Sequence, residues 1–177
     1  MSSPPSPSSP AHPLARAFLA ANRWVLIVLL GVMAALVIGN VFARYAFSHS
    51  FTWVEEATRY MMIWAAFIGA GPALRVGGHI AIDTLQASVP LPLARGLRML
   101  IVAIVAATLL TLVWLGIEYV EFAWYQESPV LGWSLGKVYL ALPLGAALML
   151  VHLAMVARRW IVLGEWDRVE GFDPQAL

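Results

Sequence analysis

The sequence predicts an all-α membrane protein with four transmembrane helices and with both its N- and C-termini in the cytoplasm. Hydrophobic residues make up 61% of the 177 residues, charged residues only 12%, and the mean hydropathy is +0.78. A soluble domain is about half apolar and a quarter charged. Because a chain of this length cannot hide so many apolar side chains in its own core, we expect the lipid bilayer to be the solvent for most of them.

The composition also argues against several classes of function. A formal net charge of +1 without a basic cluster argues against nucleic-acid binding. The absence of cysteine removes disulfides, thiolate metal sites and thiol chemistry. Four histidines that do not cluster argue against a metal site. We therefore expect a protein that holds neither a metal nor a cofactor.

The N-terminal residues 1–15 are predicted to form a disordered tail. This segment is rich in proline and serine and has too few apolar residues to order itself. The apolar run that follows Arg23 continues for 20 residues, to Ala43, which is longer than the apolar part of a cleavable secretory signal. We therefore interpret this run as an uncleaved transmembrane span.

Three spans are predicted at about 24–43, 98–120 and 137–157, where stretches without charged residues approach the 20 residues that a helix needs to cross a bilayer. With a second span they form a transmembrane domain over residues 16–160, and residues 161–177 are expected to be a cytoplasmic tail.

The second span, at about 54–74, is the least regular. Its uncharged run, residues 60–74, is only 15 residues long, so the helix needs polar turns at its ends. It either begins near Thr52, with its first charged residues at headgroup depth, or gains length at its far end from Ile80 and Ile82. Whether residues 44–59 also contain a separate interfacial helix is left open by the sequence.

The basic residues predict the orientation. With the N-terminus in the cytoplasm, eight of the 11 lysines and arginines lie on the inner side. The three outer ones are Arg44, Arg59 and Lys137. Cytoplasmic loops carry the excess of basic residues in membrane proteins, so this arrangement is favoured over its inverse.

Two carboxylates and an arginine mark the start of the second span. On a helix, Glu55 and Glu56 both lie within one turn of Arg59, so either could pair with it. An exposed pair would contribute only about 0.3–0.5 kcal/mol. Because a charge deep in lipid costs roughly 2.5–3.5 kcal/mol, we favour a protein-facing structural role for these groups. A proton or ion relay is the alternative.

The other end of this span carries a second group of polar and small residues. Gly69, Gly71 and Pro72 predict either the end of the helix or a bend in it. Beyond them we expect a turn at Gly78, in which Arg75 or His79 pairs with Asp83. No nucleophilic serine or cysteine accompanies these residues, so they do not predict a catalytic triad.

The polar residues within the remaining spans have structural interpretations. Pro143 predicts a kink in the fourth span, with Ala141 and Gly145 forming a small face for helix packing. His152 lacks the second histidine at matching depth that haem ligation would need, so we expect a polar contact between helices. Asn40 is expected to act as an interhelical hydrogen-bond donor.

Several motifs together resemble the small membrane subunit (DctQ type) of tripartite ATP-independent periplasmic (TRAP) transporters. The first is the start of the second span, which contains Phe51, Thr52, Trp53, Glu55, Glu56, Arg59 and Tyr60. The second joins Trp64, Gly69 and Ala70 to the Arg75-x-Gly-Gly-His-Ile-x-x-Asp segment, and the third is a Tyr-x-x-x-Pro-x-Gly pattern formed by Tyr139, Pro143 and Gly145. The similarity covers roughly residues 20–160.

The resemblance implies a subunit of a sodium-coupled secondary transporter in the bacterial inner membrane. Its partners would be a large permease subunit, which holds the substrate and sodium sites, a periplasmic binding protein that delivers an organic acid anion, and the surrounding lipids. This chain would itself be a non-enzymatic brace. Its candidate partner-contact and structural residues are Trp53, Glu55, Glu56, Arg59, Tyr60, Arg75, Gly78, His79, Asp83, Tyr139 and Pro143.

Two other hypotheses are weighed against this one. A self-sufficient small exporter, working as a homo-oligomer, would need an ionisable residue within a span, and none of the four runs contains an aspartate or glutamate. An intramembrane enzyme would need a nucleophile–base or metal-ligand pair at membrane depth, and the sequence does not suggest one.

Overall fold

The computed structural model describes residues 13–75 and 90–164, and these form helices joined by short connections. In chain order the helices are α1 (Pro13–Phe47), α2 (Thr52–Arg75), α3 (Leu91–Ala123), α4 (Leu135–Tyr139) and α5 (Ala141–Leu163). Most of the predicted N-terminal tail, the turn that contains Gly78, His79 and Asp83, and the end of the C-terminal tail lie outside the described residues.

The all-helical prediction is confirmed, and three helical segments are long and apolar enough to cross a membrane. Within the described ranges these are Ala15–Phe47, Leu91–Ala123 and Leu135–Leu163, the last of which includes both α4 and α5. The more polar α2 is not among them. Each helix extends past the boundaries expected from sequence. For example, α1 begins at Pro13, inside the predicted tail.

The connection between α1 and α2 resolves one open alternative. Since α1 continues to Phe47 and α2 begins at Thr52, only residues 48–51 separate them, and a further interfacial helix has no room. Asn40, on α1, fixes this connection through its side-chain oxygen, which accepts a hydrogen bond from the backbone N–H of Phe51 at 2.7 Å. The structure thus shows the amide oxygen of Asn40 as an acceptor for the connection, and the role of Asn40 as an interhelical donor stays a prediction.

The helices form an open row in the order α1, α2, α5, α3. Helix α5 packs against both α2 and α3, whereas α1 packs mainly against α2. The partly or fully buried positions of α1 between residues 22 and 43 repeat with alternating steps of four and three residues, the spacing of a narrow packing stripe. They are Asn22, Leu26, Leu29, Met33, Leu36, Asn40 and Ala43. The other residues of this stretch of α1 are exposed.

The centre of the row is packed closely because glycines face bulky neighbours. A Cβ on Gly145 of α5 would lie 2.5 Å from the Cβ of Phe67 on α2. A Cβ on Gly116 of α3 would lie 3.0 Å from the ring of Pro143. Small residues allow helix backbones to approach closely in membrane proteins. The small face predicted around Gly145 is therefore used to pack α5 against α2.

The kink predicted in the fourth span stays a prediction, because Leu140, between α4 and α5, keeps a helical backbone with φ −55° and ψ −24°. Helix α4 ends at Tyr139 and α5 begins at Ala141. Pro143 has no backbone N–H to donate to the carbonyl group of residue 139, so one hydrogen bond of the regular helix is missing at this point. The first part of the span packs against the end of α3, where a Cβ on Gly136 would lie 2.9 Å from the Cα of Trp124.

Helix α5 ends at Leu163 and is followed by Gly164. The φ of Gly164 is +74°, in the left-handed conformation that favours glycine. The guanidinium group of buried Arg98, on α3, reaches this end and donates a hydrogen bond to the Ile161 carbonyl oxygen at 3.5 Å. A cation at the C-terminal end of a helix complements its dipole.

Replacing Gly164 by alanine is expected to lower the free energy of unfolding by about 1–2 kcal/mol, since the new Cβ would adopt a strained φ and lie 2.5 Å from Arg98 Nη2. Unfolding in detergent, followed by tryptophan fluorescence, measures the change. Gly96→Ala is the control, because a Cβ at Gly96 meets no atom within 4 Å. Equal stability of the two variants would contradict the prediction.

Candidate functional site

Glu56 is the organising residue at the outer end of the molecule, where outer refers to the end that holds the start of α2. Its side chain is only 6% exposed. One carboxylate oxygen accepts hydrogen bonds from the backbone N–H groups of Val130 and Leu131 at 3.0 and 2.9 Å. The other accepts from the hydroxyl of Tyr60, one turn along α2. Glu56 therefore ties the start of α2 to the connection between α3 and α4.

We name this connection, residues 124–134, the clasp loop. Its two ends pair like a short hairpin, with the N–H of Leu135 donating to the Gln126 carbonyl and that of Ser128 to the Trp133 carbonyl, both at 2.8 Å. Gly132 supplies the positive φ of +63° that reverses the chain. This closed loop presents its backbone N–H groups at Val130 and Leu131 as donors, and a carboxylate is the acceptor that suits them.

The neighbouring Glu55 and Arg59 form an exposed ion pair. Arg59 Nη2 lies 3.2 Å from Glu55 Oε1, and the two side chains are 61% and 80% exposed, respectively. The expectation that either glutamate could pair with Arg59 is thus resolved, because Glu56 faces the interior and only Glu55 pairs. Trp53, in the first turn of the same helix, is also exposed at 41%.

His152, on α5, is the centre of a second polar contact. This contact lies away from Glu56, towards the end of α2 that carries Arg75. It is fully buried, and its Nε2 lies 3.1 Å from the side-chain nitrogen of Asn22 on α1. Asn22 also reaches the Ile68 carbonyl oxygen of α2 at 3.5 Å. The ring fills the space beside Gly71, where a Cβ would lie 2.3 Å from His152 Cδ2. The predicted interhelical polar contact of His152 is confirmed, and it joins α5 to α1 across α2.

The remaining predicted residues lie in separate places. Tyr139 packs on Tyr119 of α3, with ring centroids 4.9 Å apart, and Pro143 packs on Gly116. Arg75 is the last residue of α2 and is partly buried at the end opposite to Glu56. Pro72 lies inside α2, so it does not terminate that helix. Among the predicted residues that the structure describes, it thus brings Glu56 together with Tyr60 and Glu55 together with Arg59.

Sequence reasoning missed three structural residues, namely Asn22, Arg98 and the loop donor Val130. Asn22 could have been found, because it and Asn40 both fall on the stripe by which α1 packs. A lone arginine near a span, such as Arg98, gives no comparable signal. A backbone donor in a loop gives none at all.

The described part of the chain shows no group of side chains that could hold a metal ion together. In residues 13–75 and 90–164, no group of three histidine, cysteine, aspartate or glutamate side chains could hold a metal ion. Glu56 lies near the start of α2, His152 packs near the other end of that helix, and each has a structural partner. What these contacts do is hold four long helices in a defined relation to one another.

Comparison with known proteins agrees with this architecture. Residues 33–162 match the family model of the DctQ component of tripartite ATP-independent periplasmic transporters. The chain is 30% identical over 124 residues to the ectoine TRAP transporter small permease protein TeaB of Halomonas elongata, covering 68% of this chain and 64% of that protein.

Two further relatives carry related names. The C4-dicarboxylate TRAP transporter small permease protein DctQ of Rhodobacter capsulatus is 29% identical over 132 residues, which is 70% of this chain and 57% of the relative. A putative TRAP transporter small permease protein of Haemophilus influenzae is 38% identical over 64 residues, which is 36% and 40% of the two chains. The matches thus span less than two thirds of each relative. The chain belongs to the DctQ family of TRAP transporter small permease subunits.

Proposed function

We propose that this chain is a non-substrate-binding, non-enzymatic scaffold subunit of a sodium-coupled TRAP transporter. In this proposal it takes up organic acid anions together with a large permease subunit and a periplasmic binding protein, in the bacterial inner membrane. The observation that carries the proposal is the open row of helices. Its outermost helix, α1, is packed along one stripe and exposes apolar side chains elsewhere, including Trp24, Ile38 and Phe42.

An open row suits a brace better than a transport unit. Transport sites are typically built from broken helices that place polar groups at mid-membrane depth between two repeats. In the part of this chain that the structure describes, the buried side chains of Glu56, Arg98 and His152 each bind another part of the same chain. A rigid layer of this kind offers two broad surfaces to lipid and to a larger partner.

The proposal includes four spans with both termini in the cytoplasm. Helix α2 has 24 residues, or about 36 Å at 1.5 Å per residue, and it lies between two apolar helices. Asn22 contacts His152, and Arg98 contacts Ile161. The first part of α1, the last part of α5 and the start of α3 therefore lie towards the same end of the helices. Most of the arginines belong to this end, which supports its cytoplasmic location.

Co-expression with the large permease of the same organism tests the proposal. We expect the two proteins to co-purify, and we expect vesicles to accumulate solute only when both are present together with the binding protein and an inward sodium gradient. Coupled transport by vesicles that contain this chain alone would contradict the proposal. That result would favour the alternative of a self-sufficient exporter working as a homo-oligomer.

The exposed ion pair of Glu55 and Arg59 is the proposed contact with the large permease. Replacing Arg59 by glutamine is expected to reduce co-purification and uptake about two- to fivefold, because a contact of this kind is worth up to about 1 kcal/mol. The preference among competing solutes should not change, since the permease would hold the substrate. Arg44→Gln, at another exposed arginine of the outer end, is the control. A changed solute preference would contradict the assignment.

A further inference from the structure

We propose that the groove beside the α4–α5 junction binds a zwitterionic aminophospholipid, with its ammonium group at Glu121. The groove has a volume of about 520 Å³. It lies between the end of α3 and the fourth span, and is lined by Ile117, Val120, Glu121, Trp124, Tyr125, Leu140 and Pro143. The inference depends on the chain lying in a membrane, and it does not depend on the role proposed for the large permease.

The deeper part of the groove suits an acyl chain. Leu140 and Pro143 form the wall of the groove on the side of the fourth span. Ile117 and Val120 of α3 form the facing wall. These four side chains carry no polar group, so the deeper part offers only dispersion contacts and apolar surface to whatever fills it.

The mouth of the groove suits an ammonium group. Trp124 and Tyr125 follow the last residue of α3, and Tyr125 is 90% exposed. Rings of this kind favour the headgroup layer. Glu121 adds a carboxylate one turn before them, and a cation is attracted both by that charge and by the faces of aromatic rings. The mouth thus combines the two features that bind alkylammonium groups.

Lys137 adds a positive charge that matches the phosphate of a lipid headgroup. It lies three residues before the groove-lining Leu140, which places it on the same side of this short helical segment. Neither Lys137 nor Glu121 forms an ion pair with another side chain in residues 13–75 and 90–164. Glu121 in the groove lining and Lys137, one turn before the groove-lining Leu140, match a headgroup that carries an ammonium and a phosphate. An anionic lipid without an amine would match only the base.

Lipid titration of the purified full-length chain, followed by native mass spectrometry, tests the proposal. The probes are phosphatidylethanolamine and phosphatidylglycerol with identical acyl chains. We expect wild-type protein to bind the first more tightly, and Glu121→Gln to weaken its binding roughly three- to tenfold while leaving the second unchanged. Lys137→Gln should weaken both, because both carry a phosphate.

Glu118→Gln is the matched control, since Glu118 is an exposed acid one turn earlier on α3 and does not line the groove. Unfolding midpoints from tryptophan fluorescence should agree among the variants, so that a loss of lipid cannot come from unfolding. Equal binding of the two lipids by wild-type protein, or equal effects of Glu121→Gln and Glu118→Gln, would overturn the proposal. So would loss of the lipid preference in the complex with the large permease, because a protein would then occupy the groove.

Discussion

Replacing Glu56 by alanine is expected to lower the free energy of unfolding by about 3 kcal/mol or more and to release the clasp loop. The carboxylate accepts from two backbone N–H groups, of Val130 and Leu131, and from the Tyr60 hydroxyl. A hydrogen bond to a charged group contributes about 1.5–3 kcal/mol. Alanine removes all three acceptor contacts at once.

Two measurements check this result in detergent. Tryptophan fluorescence during unfolding gives the change in stability. Cleavage after Glu127 by a glutamate-specific protease reports on the clasp loop, since Glu127 lies within its hairpin-like pairing. We expect cleavage to be slow in wild-type protein and fast in Glu56→Ala, because protection depends on how often the loop opens.

Glu55→Ala is the natural control, because it removes the adjacent carboxylate but breaks only the exposed pair with Arg59. Its effect on stability should stay within about 0.5 kcal/mol. Glu56→Gln should fall between the two, since an amide oxygen can still accept from the loop. If the two alanine variants lost equal stability, or if cleavage after Glu127 did not change in Glu56→Ala, the proposed role of Glu56 would be wrong.

The part of the fold that depends on local chemistry could be predicted from the sequence. The start of α2 at Thr52 was one of the two alternatives that the short uncharged run offered, since a helix of membrane length needs more residues than that run contains. The junction of α4 and α5 at Leu140 lies next to Pro143, whose missing N–H acts on the neighbouring turn alone. In both cases a few adjacent residues decide the result.

The choice between Glu55 and Glu56 could not be predicted, because the two residues have almost the same relation to Arg59 along the helix. The group that decides is the pair of N–H donors at residues 130 and 131, more than 70 positions later in the chain. Arg98 is a similar case, since its acceptor at Ile161 lies 63 residues away. Contacts of this range depend on how the helices are arranged, which no local pattern contains.

The arrangement of the helices could not be predicted from the sequence either. An apolar helix face that meets lipid and one that meets another helix have similar compositions, since lipid tails are as apolar as leucine. What distinguishes them here is a pattern of small and polar residues. Gly71, Gly116 and Gly145 mark close approaches, and Asn22 marks the stripe by which α1 joins the row. Gly71 was interpreted as loosening the end of α2, but the structure shows that it makes room for His152.

That role of Gly71 leads to the second large effect. Replacing Gly71 by alanine is expected to lower the free energy of unfolding by about 2–3 kcal/mol, since the added Cβ would lie 2.3 Å from Cδ2 and 2.9 Å from Nε2 of a fully buried ring. The ring cannot move without giving up its contact with Asn22, which would weaken the attachment of α1. Gly31→Ala is the control, because a Cβ there meets nothing within 4 Å.

A double-mutant cycle separates this clash from a general intolerance of α2 to substitution. His152→Ala alone should destabilise the protein, because it leaves a cavity and removes the partner of Asn22. In that background, however, Gly71→Ala should cost less than about 0.5 kcal/mol, since the side chain that it would meet is gone. The prediction would be contradicted if Gly71→Ala lowered the free energy of unfolding equally with and without His152. The fit between this glycine and the histidine would then not be what holds α1, α2 and α5 together.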